Sequence, residues 1–311
     1  MRIAPPAPRS VGDVHPVWLN GSLVDASDAS VPVFDHGLTV GDGVFETMRT
    51  ERGIPFAMSR HLARLRRSLD GLGFALDRSD DELRAAMQAV ADEVVGATGQ
   101  PAKIRLTVTA GPGPLGSGRD DGGQTVYVAG APLDAWPPTG AAVTVPWRRN
   151  EHSAVAGLKT TSYAENVVAL AAARERGASE ALLANTAGDL CEGTGSNVFL
   201  VTGERVRTPP LTSGCLAGVT RALVVELAAS LDLAIDESPV SMEALARADE
   251  VFLTSSTRDV HGQHAVDDLA GIAIEAEQDD LVDAIADDHG IEIRLIGRDM
   301  ERNGLASLPL V

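Results

Sequence analysis

The sequence predicts two packed domains of mixed helix and strand content, an α+β and α/β class. Its 311 residues exceed the usual size of one domain. Strand-like and helix-like patterns alternate in both halves, and a Gly/Pro-rich stretch separates the halves. We therefore expect a flexible lead-in at 1–16, a small N-terminal domain at 17–133, a linker at 134–140 and a large C-terminal domain at 141–311.

The first domain begins with a hairpin signal at Asn20-Gly21, because both residues tolerate positive φ. The segment 31–50 predicts a strand, a loop and a second strand. Leucines at helical spacing predict a helix that ends near Gly73, and a second helix follows at 80–97. The run KIRLTVTAG at 103–111 predicts another strand.

The second domain starts with a predicted strand, AAVTVPW, and a predicted helix, SYAENVVALAAARERGA. Hairpin-connected strands follow between 181 and 209. A helix is predicted to start at Gly218. After it we predict a buried strand that runs into a polar loop, at 249–260, and a late helix at 279–290.

The formal net charge of −18 disfavours partners such as nucleic acids and anionic membranes, because like charges repel. No apolar run approaches the roughly 18 residues of a membrane-spanning helix, and the start of the chain lacks the apolar core of a signal peptide. Cys191 and Cys215 lack the spacing of a metal site and are too few for a disulfide framework. We therefore expect a cytoplasmic protein.

Lys159 is the first candidate for a chemical role. It follows a small apolar segment and Gly157, and a desolvated lysine in such a place is suited to Schiff-base chemistry. The alternative is a surface lysine at a strand end. Rarity favours the chemical role, because only Lys103 and Lys159 are lysines among 26 Lys and Arg residues. Tyr163, four residues later, is placed to direct its hydroxyl to the same side.

A second group of polar residues suits an anionic ring cofactor. Glu192 lies between apolar strand segments and a Gly-rich turn, and its burial requires a cationic partner such as a protonated pyridine. Gly218-Val219-Thr220 opens a helix, where free N–H groups favour an anion. Residues 254–257 add hydroxyls at a strand end, and Arg64 lies on a basic helix. The alternatives are an exposed glutamate, a helix cap, a polar loop and a solvated basic face.

Together these features resemble the class IV aminotransferases. Members of that family share a fixed order of short motifs, which this sequence follows over residues 17–270. The matching segments, in order, are Asp35/Gly37, GDGVFET, HLARL, GLKTTSY, CEGTGSNVF, GVTRALVVELA and EVFLTSSTRDV. The resemblance implies pyridoxal 5′-phosphate (PLP) as cofactor, the two-domain PLP fold type IV of D-amino-acid aminotransferases, and a homodimer.

The resemblance also implies a role for each matching residue. Lys159 is expected to bind PLP as a Schiff base and to carry a proton between the substrate Cα and C4′ of the cofactor. Glu192 is expected at the pyridine nitrogen, Tyr163 at the phenolic oxygen and Leu216 against the ring. The implied phosphate ligands are Arg64, Val219, Thr220, Ser255 and Ser256.

The anchor for the substrate carboxylate differs among members of the family. Branched-chain enzymes have Tyr-x-Arg on the strand that here reads KIR, so Arg105 matches and Lys103 replaces the tyrosine. D-amino-acid enzymes place Arg-x-His in the next loop, which here has Arg119 without the histidine. Arg105, Arg119 and Thr257 are the candidate ligands, and the alternative for Arg119 is a solvated loop arginine.

We predict a transaminase of the D-amino-acid type with relaxed specificity, because the SST turn at 255–257 is closest to that type. An aminodeoxychorismate lyase that releases pyruvate is the first alternative, since the small polar loop GPGPLGSG suits one. A branched-chain L-amino-acid aminotransferase is the second. His261 and His264 are expected either at the rim of the active site or as ordinary surface residues.

Overall fold

The structure is a computed structural model that describes residues 17–120, 122–267 and 273–275. The lead-in at 1–16 and the late helix at 279–290 lie outside these residues. In the part that is described, no helix is both long and apolar enough to cross a membrane.

The chain divides into two compact units. The first contains the chain up to Asp134 together with Lys159–Ser162, and the second contains Ala135–Leu158 and the chain from Tyr163 onward. The sequence analysis assigned 159–162 to the second domain. The structure places this segment in the first unit, because its backbone pairs with a strand of that unit.

The first unit contains one sheet and three helices among its described residues. Its sheet has the strand order β2-β1-β6-β5-β3-β4, with antiparallel neighbours throughout. In chain order its elements are β1 (Val17–Leu19), β2 (Ser22–Val24), α1 (His36–Thr39), β3 (Gly43–Glu51), β4 (Ile54–Pro55), α2 (Met58–Leu72), α3 (Asp80–Thr98), β5 (Ala102–Thr109) and β6 (Thr125–Pro132).

The core of the first unit lies between its sheet and the helices α2 and α3. Alternate residues of β3 and β5 point into it, as the buried pairs Val44–Val108 and Met48–Ile104 show. The predicted helices are confirmed. Gly73 ends α2 in the left-handed conformation at φ 76°, and a capping box at Ser79 starts α3.

The segment 31–42 differs from its prediction, because no strand forms at 31–34 and the short helix α1 follows instead. Asp35 causes this local fold. Its carboxylate is fully buried and accepts hydrogen bonds from the Gly37 N–H at 2.8 Å and from the hydroxyls of Thr109 and Thr125 at 3.0 and 2.6 Å. The motif Asp-x-Gly therefore caps α1 and ties it to the sheet.

The second unit is built on a mixed nine-stranded sheet among the described residues, ordered β12-β11-β10-β13-β14-β7-β8-β9 with β15 beside β14. The pairs β7–β8, β7–β14 and β11–β12 are parallel. In chain order the elements are β7 (Gly140–Arg149), α4 (Ala164–Glu175), β8 (Glu180–Asn185), β9 (Leu190–Gly193), β10 (Asn197–Thr202), β11 (Arg205–Arg207), α5 (Val219–Ser230), β12 (Ile235–Asp236), α6 (Met242–Leu245), β13 (Glu250–Ser255), β14 (Asp259–Asp267) and β15 (Ala273–Glu275).

Candidate active site

Lys159 is fixed in the first unit by its backbone. Its carbonyl accepts the Phe45 N–H at 3.0 Å, its own N–H donates to the Ser68 hydroxyl of α2 at 3.1 Å, and the next residue, Thr160, bridges Val44. Gly41 is required beside this segment, because its φ is 69° and a Cβ there would lie 2.5 Å from the Ser162 hydroxyl. The GDG motif therefore makes room for the segment that carries Lys159.

The Lys159 side chain lies over the ring of Phe45, with Nζ 4.4 Å from the ring centroid. The guanidinium carbon of Arg105 lies 3.7 Å from the same centroid. Ring faces attract cations, and Phe45 is itself buried. Two residues that the sequence singled out, Lys159 and Arg105, are thus brought together on one aromatic ring.

Arg64, a predicted phosphate ligand, forms a buried cluster with Glu46 and His61. Its Nε and one terminal nitrogen donate to the two Glu46 oxygens at 2.8 and 2.7 Å, and His61 Nδ1 lies 2.6 Å from Glu46. Burial alone would raise the pKa of Glu46, but the hydrogen bonds from Arg64 and His61 lower it to about 2. Burial lowers the pKa of His61, so His61 is a neutral donor to a charged Glu46 at neutral pH.

Arg119, a candidate carboxylate ligand, is held by Asp42. Two guanidinium nitrogens donate to the two Asp42 oxygens, both at 2.6 Å, and the guanidinium lies 4.7 Å from the centroid of the Phe74 ring. The hydrogen bond from Arg119 lowers the pKa of Asp42. The guanidinium of Arg119 therefore already binds one carboxylate, whereas that of Arg105 lies over the same Phe45 ring as Lys159 Nζ.

In the second unit, Glu192 lies in β9, one residue before the strand ends, with its carboxylate mostly buried. One oxygen accepts the Leu216 N–H at 2.9 Å, and the other lies 3.1 Å from Arg149 Nε in an ion pair. Burial and the charge of Glu192 both raise the pKa of the neighbouring Cys191 thiol, and the same two causes raise that of Cys215 to about 11. The Leu216 N–H and the Arg149 guanidinium thus lie against the two oxygens of the Glu192 carboxylate.

The predicted phosphate ligands of the second unit lie at one end of its sheet. Gly218 precedes α5 in an extended conformation without a side-chain cap, so the N–H groups of Val219 and Thr220 open the helix. Asn197 at the start of β10 donates to the Leu216 carbonyl at 2.9 Å, and a Cβ on Gly218 would lie 2.0 Å from its amide oxygen. This close approach requires glycine at 218.

The SST turn reaches the same end of the sheet, because Thr254 of β13 pairs with Asn197 of β10. Ser255 accepts the Arg258 N–H at 3.3 Å, while Ser256 and Thr257 are half-buried. In the described part of the chain, the Thr254 hydroxyl is buried without a hydrogen-bond partner. A buried hydroxyl beside uncapped helix amides suits an oxygen-rich anion such as a phosphate group.

Tyr163 stands at the N-cap position of α4, directly after Ser162. Three residues on, Asn166 donates to the Thr194 carbonyl in the turn after Glu192. The start of α4 is thus tied to the loop that follows Glu192.

Of the two histidines, the structure describes the side chain of His261. His261 is buried, with its Nε2 2.9 Å from the Pro137 carbonyl and the Trp136 ring 6.0 Å away, so it is not a surface residue. The side chain of His264 lies outside the described residues. Pattern analysis also missed Arg258, which pairs with the buried Glu180 at 3.0 Å and lies 4.3 Å over Trp136.

Comparisons with known proteins agree with this picture. The family model of class IV amino-transferases matches residues 43–264. D-alanine aminotransferase of Bacillus licheniformis is 31% identical over 259 residues, 78% of this chain and 86% of the relative. Branched-chain-amino-acid aminotransferase of Salmonella typhimurium is 31% identical over 266 residues, 81% and 85% of the two chains.

A solved structure, the branched-chain amino acid aminotransferase of Escherichia coli, superposes with a TM-score of 0.76 at 28% identity and covers 85% of this chain and 88% of its own. The predicted fold type IV is thereby confirmed. Class IV aminotransferases use PLP, and the group also includes lyases. The chain belongs to the class IV aminotransferase family and is a PLP-dependent enzyme.

Proposed function

We propose that the protein is a transaminase that moves an amino group between an amino acid and a 2-oxo acid, with Lys159 as the residue that binds PLP. The observation that carries this proposal is the shared position of Lys159 Nζ and the Arg105 guanidinium over the Phe45 ring. Transamination needs an amine that binds the cofactor and a cation for the substrate carboxylate. Both groups are supplied by the first unit within a short distance of each other.

Lys159 has two tasks in this proposal. Its Nζ would hold the cofactor, and the same amine, when free, would take up the proton that leaves the substrate Cα. PLP supplies the electron sink that stabilises negative charge on the substrate carbon. The backbone hydrogen bonds of Lys159 to Phe45 and Ser68 hold the amine in position for this transfer.

Glu192 would bind the protonated pyridine nitrogen. Its ion pair with Arg149 and its hydrogen bond from Leu216 support this role, because they fix the position of the carboxylate at the end of β9. Leu216 would also pack against the ring, and the Tyr163 hydroxyl would donate to the phenolic oxygen. The proposed phosphate ligands remain Arg64, Val219, Thr220, Ser255 and Ser256.

Arg105 is the proposed anchor of the substrate carboxylate, and a guanidinium fork suits a carboxylate in two parallel hydrogen bonds. Arg119 is the weaker candidate, because Asp42 already neutralises it through two hydrogen bonds. Thr257, in the half-buried turn after β13, would assist through its hydroxyl.

The finer proposal is a D-amino-acid preference with relaxed specificity. The turn Ser255–Thr257 and the similarity to D-alanine aminotransferase support it. A branched-chain L-specific enzyme is the alternative that the position of Arg105 favours. The lyase alternative is favoured by the small loop at 112–118 and by lyases within the family.

We also propose a cytosolic homodimer. The first unit exposes an apolar patch on α1 and the loops beside it, and the Gly113 N–H joins two of these loops by donating to the Phe34 carbonyl at 3.0 Å. Large exposed apolar patches mark protein contacts. The exposed members of this patch are Val33, Phe34, Leu38, Val40 and Leu115. The buried, reduced thiols of Cys191 and Cys215 suit a reducing compartment.

Assays of the PLP-loaded protein test the proposed function. D-alanine, D-glutamate and L-leucine would each be offered with 2-oxoglutarate, and aminodeoxychorismate would be offered alone. Turnover of the D-donors supports the finer proposal, while turnover of L-leucine alone or of aminodeoxychorismate alone assigns the corresponding alternative. Lys159→Ala should abolish activity, whereas Arg67→Gln, at an exposed position of α2, should not. Normal turnover by Lys159→Ala would defeat the proposal.

A further inference from the structure

Glu180, the first residue of β8, is a fully buried carboxylate that binds the turn after Glu192. One of its oxygens accepts the Thr194 N–H at 2.9 Å and also the Thr194 hydroxyl, and the other accepts the Ser196 hydroxyl at 3.0 Å. A Cβ on Gly193 would lie 2.4 Å from the Ser196 hydroxyl oxygen, so a side chain there would displace the serine from the carboxylate. Glu180 therefore fixes the turn that begins two residues after Glu192.

Arg258, the last residue of the turn between β13 and β14, lies against the same carboxylate. A terminal nitrogen of its guanidinium is 3.0 Å from the Glu180 oxygen that also accepts the Ser196 hydroxyl. The guanidinium carbon lies 4.3 Å from the centroid of the Trp136 ring, and the side chain is 10% exposed. The Arg258 N–H donates to the Ser255 hydroxyl at 3.3 Å. One residue thus links Ser255, through its backbone, to Glu180, through its side chain.

The two loops that meet at Glu180 carry proposed ligands for different groups of the cofactor. The first loop follows Glu192, the proposed partner of the pyridine nitrogen, and the second contains proposed phosphate ligands. The backbone pairing of β10 with β13 ends at Asn197 and Thr254, beside these loops. Beyond that pair, the contact between Glu180 and Arg258 continues the connection.

An ion pair between buried side chains is a costly way to join two loops, because both charges lose their hydration. Apolar side chains of similar size would often stabilise a fold equally well. The hydrogen bonds of the first loop to Glu180 and the Trp136 ring beside Arg258 offset part of this cost. The charged groups also add a defined geometry, because a carboxylate and a guanidinium bind their partners in fixed directions.

We propose that Arg258 and Glu180 are positioning residues, which hold the phosphate ligands of the turn 255–257 at a set distance from the Glu192 carboxylate. Each acts through a loop that binds the cofactor, and neither side chain binds the cofactor itself. The pair should therefore matter for a ligand that contacts both loops and not for a ligand that contacts one. This inference rests on the proposed function, because it concerns the cofactor site of the same enzyme.

Affinity measurements on the full chain freed of PLP test the proposal without turnover. PLP, which has both a pyridine ring and a phosphate group, would be titrated by absorbance. Inorganic phosphate, which can occupy only the phosphate ligands, would be measured by its competition with PLP. We expect Arg258→Met to weaken PLP binding about tenfold and to change the inhibition constant of phosphate by less than about twofold. Arg258→Lys keeps a positive charge beside Glu180, so its PLP affinity should lie between those of the wild type and Arg258→Met.

A double variant and a matched control separate positioning from folding. If the two residues act as one pair, Glu180→Gln combined with Arg258→Met should bind PLP no more weakly than Arg258→Met alone. The double variant leaves neither charge of the pair buried without its partner, so it replaces Arg258→Met if that variant does not fold. The control is Arg207→Met, which breaks the ion pair with Asp236, 3.4 Å long, in the same unit and should bind PLP as the wild type does.

Equal weakening of PLP and phosphate binding would overturn the proposal, because Arg258 would then act on its own turn alone. Unchanged PLP affinity in Arg258→Met, or additive losses in the double variant, would overturn it too. The failure of the proposed function looks different. If the affinities change as expected but no amino donor is transaminated, only the transaminase assignment fails. If donors are transaminated and Arg258→Met binds PLP normally, the transaminase stands and the positioning role is refuted.

Discussion

Glu46 in the first unit and Glu192 in the second are both buried beside an arginine, but the protein satisfies them differently. Glu46 is fully buried, and the side chains of Arg64 and His61 bind both of its oxygens. The Glu192 side chain keeps 11% exposure, and its contacts include one backbone N–H and the ion pair with Arg149. A fully buried carboxylate with both oxygens bound by side chains stabilises the fold, whereas a partly exposed carboxylate can also bind a ligand.

Glu46→Gln should produce the largest loss of stability, because it leaves the buried Arg64 without its charge partner. We expect the free energy of unfolding to fall by about 3 kcal/mol, measured by denaturant titration. Glu93→Gln, at an exposed position of α3, is the matched control and should change little. An equal effect of the two substitutions would show that the cluster does not stabilise the fold.

Glu192→Gln should have the opposite profile. Turnover should fall by at least about 100-fold, because the substitution removes the charge that we propose binds the pyridine nitrogen. The free energy of unfolding should fall less than in Glu46→Gln. Steady-state kinetics and denaturant titration of the same preparation measure the two effects. Full activity in Glu192→Gln would contradict the assignment of Glu192 to the pyridine nitrogen.

A pH series sharpens the comparison for Glu46. Its pKa in the folded protein is lowered from 4.5 to about 2. The stabilisation from this charge is therefore present above about pH 4.5 and is lost as the pH falls toward 2. We expect the stability difference between the wild type and Glu46→Gln to shrink between about pH 5 and about pH 3. A constant difference over that window would argue against a charged Glu46.

Asp42→Asn should have the smallest effect. The Asp42 and Arg119 side chains are 14% and 34% exposed, so water already screens their ion pair, and its loss should cost no more than about 1 kcal/mol. The KM of the amino donor should stay within about twofold, because Arg105 is the proposed anchor. A tenfold change in KM would instead support Arg119 as a carboxylate ligand.

Much of the fold was accessible from sequence, since helix and strand periodicity identified α2, α3, β5 and α5. The helix α1 was missed, because its formation depends on Asp35, whose carboxylate is held by Thr109 and Thr125 far along the chain. The placement of 159–162 with the first unit was missed for a similar reason. It rests on backbone pairing with β3, and the side chains carry no sign of such pairing.

Residues of the candidate site that belong to a sequence motif were predicted. Residues that are identified only by a contact in the folded chain were missed. Lys159, Arg105 and Glu192 stood out through rarity, position or motif. Arg149 did not, although the adjacent arginines 148 and 149 at the end of a mostly apolar strand were a usable signal. The Arg258–Glu180 pair joins residues far apart in the chain, and nothing in the local pattern of either residue predicts it.

The central claim is that Lys159 binds PLP, and this chain offers a direct test because it contains two lysines, Lys103 and Lys159. Borohydride makes a bond between a lysine and PLP permanent, so peptide mass spectrometry of the reduced protein locates the modified residue. The account predicts the pyridoxyl mass on the peptide that contains Lys159 and on no peptide that contains Lys103. Label on Lys103, or no label after PLP loading, would contradict it.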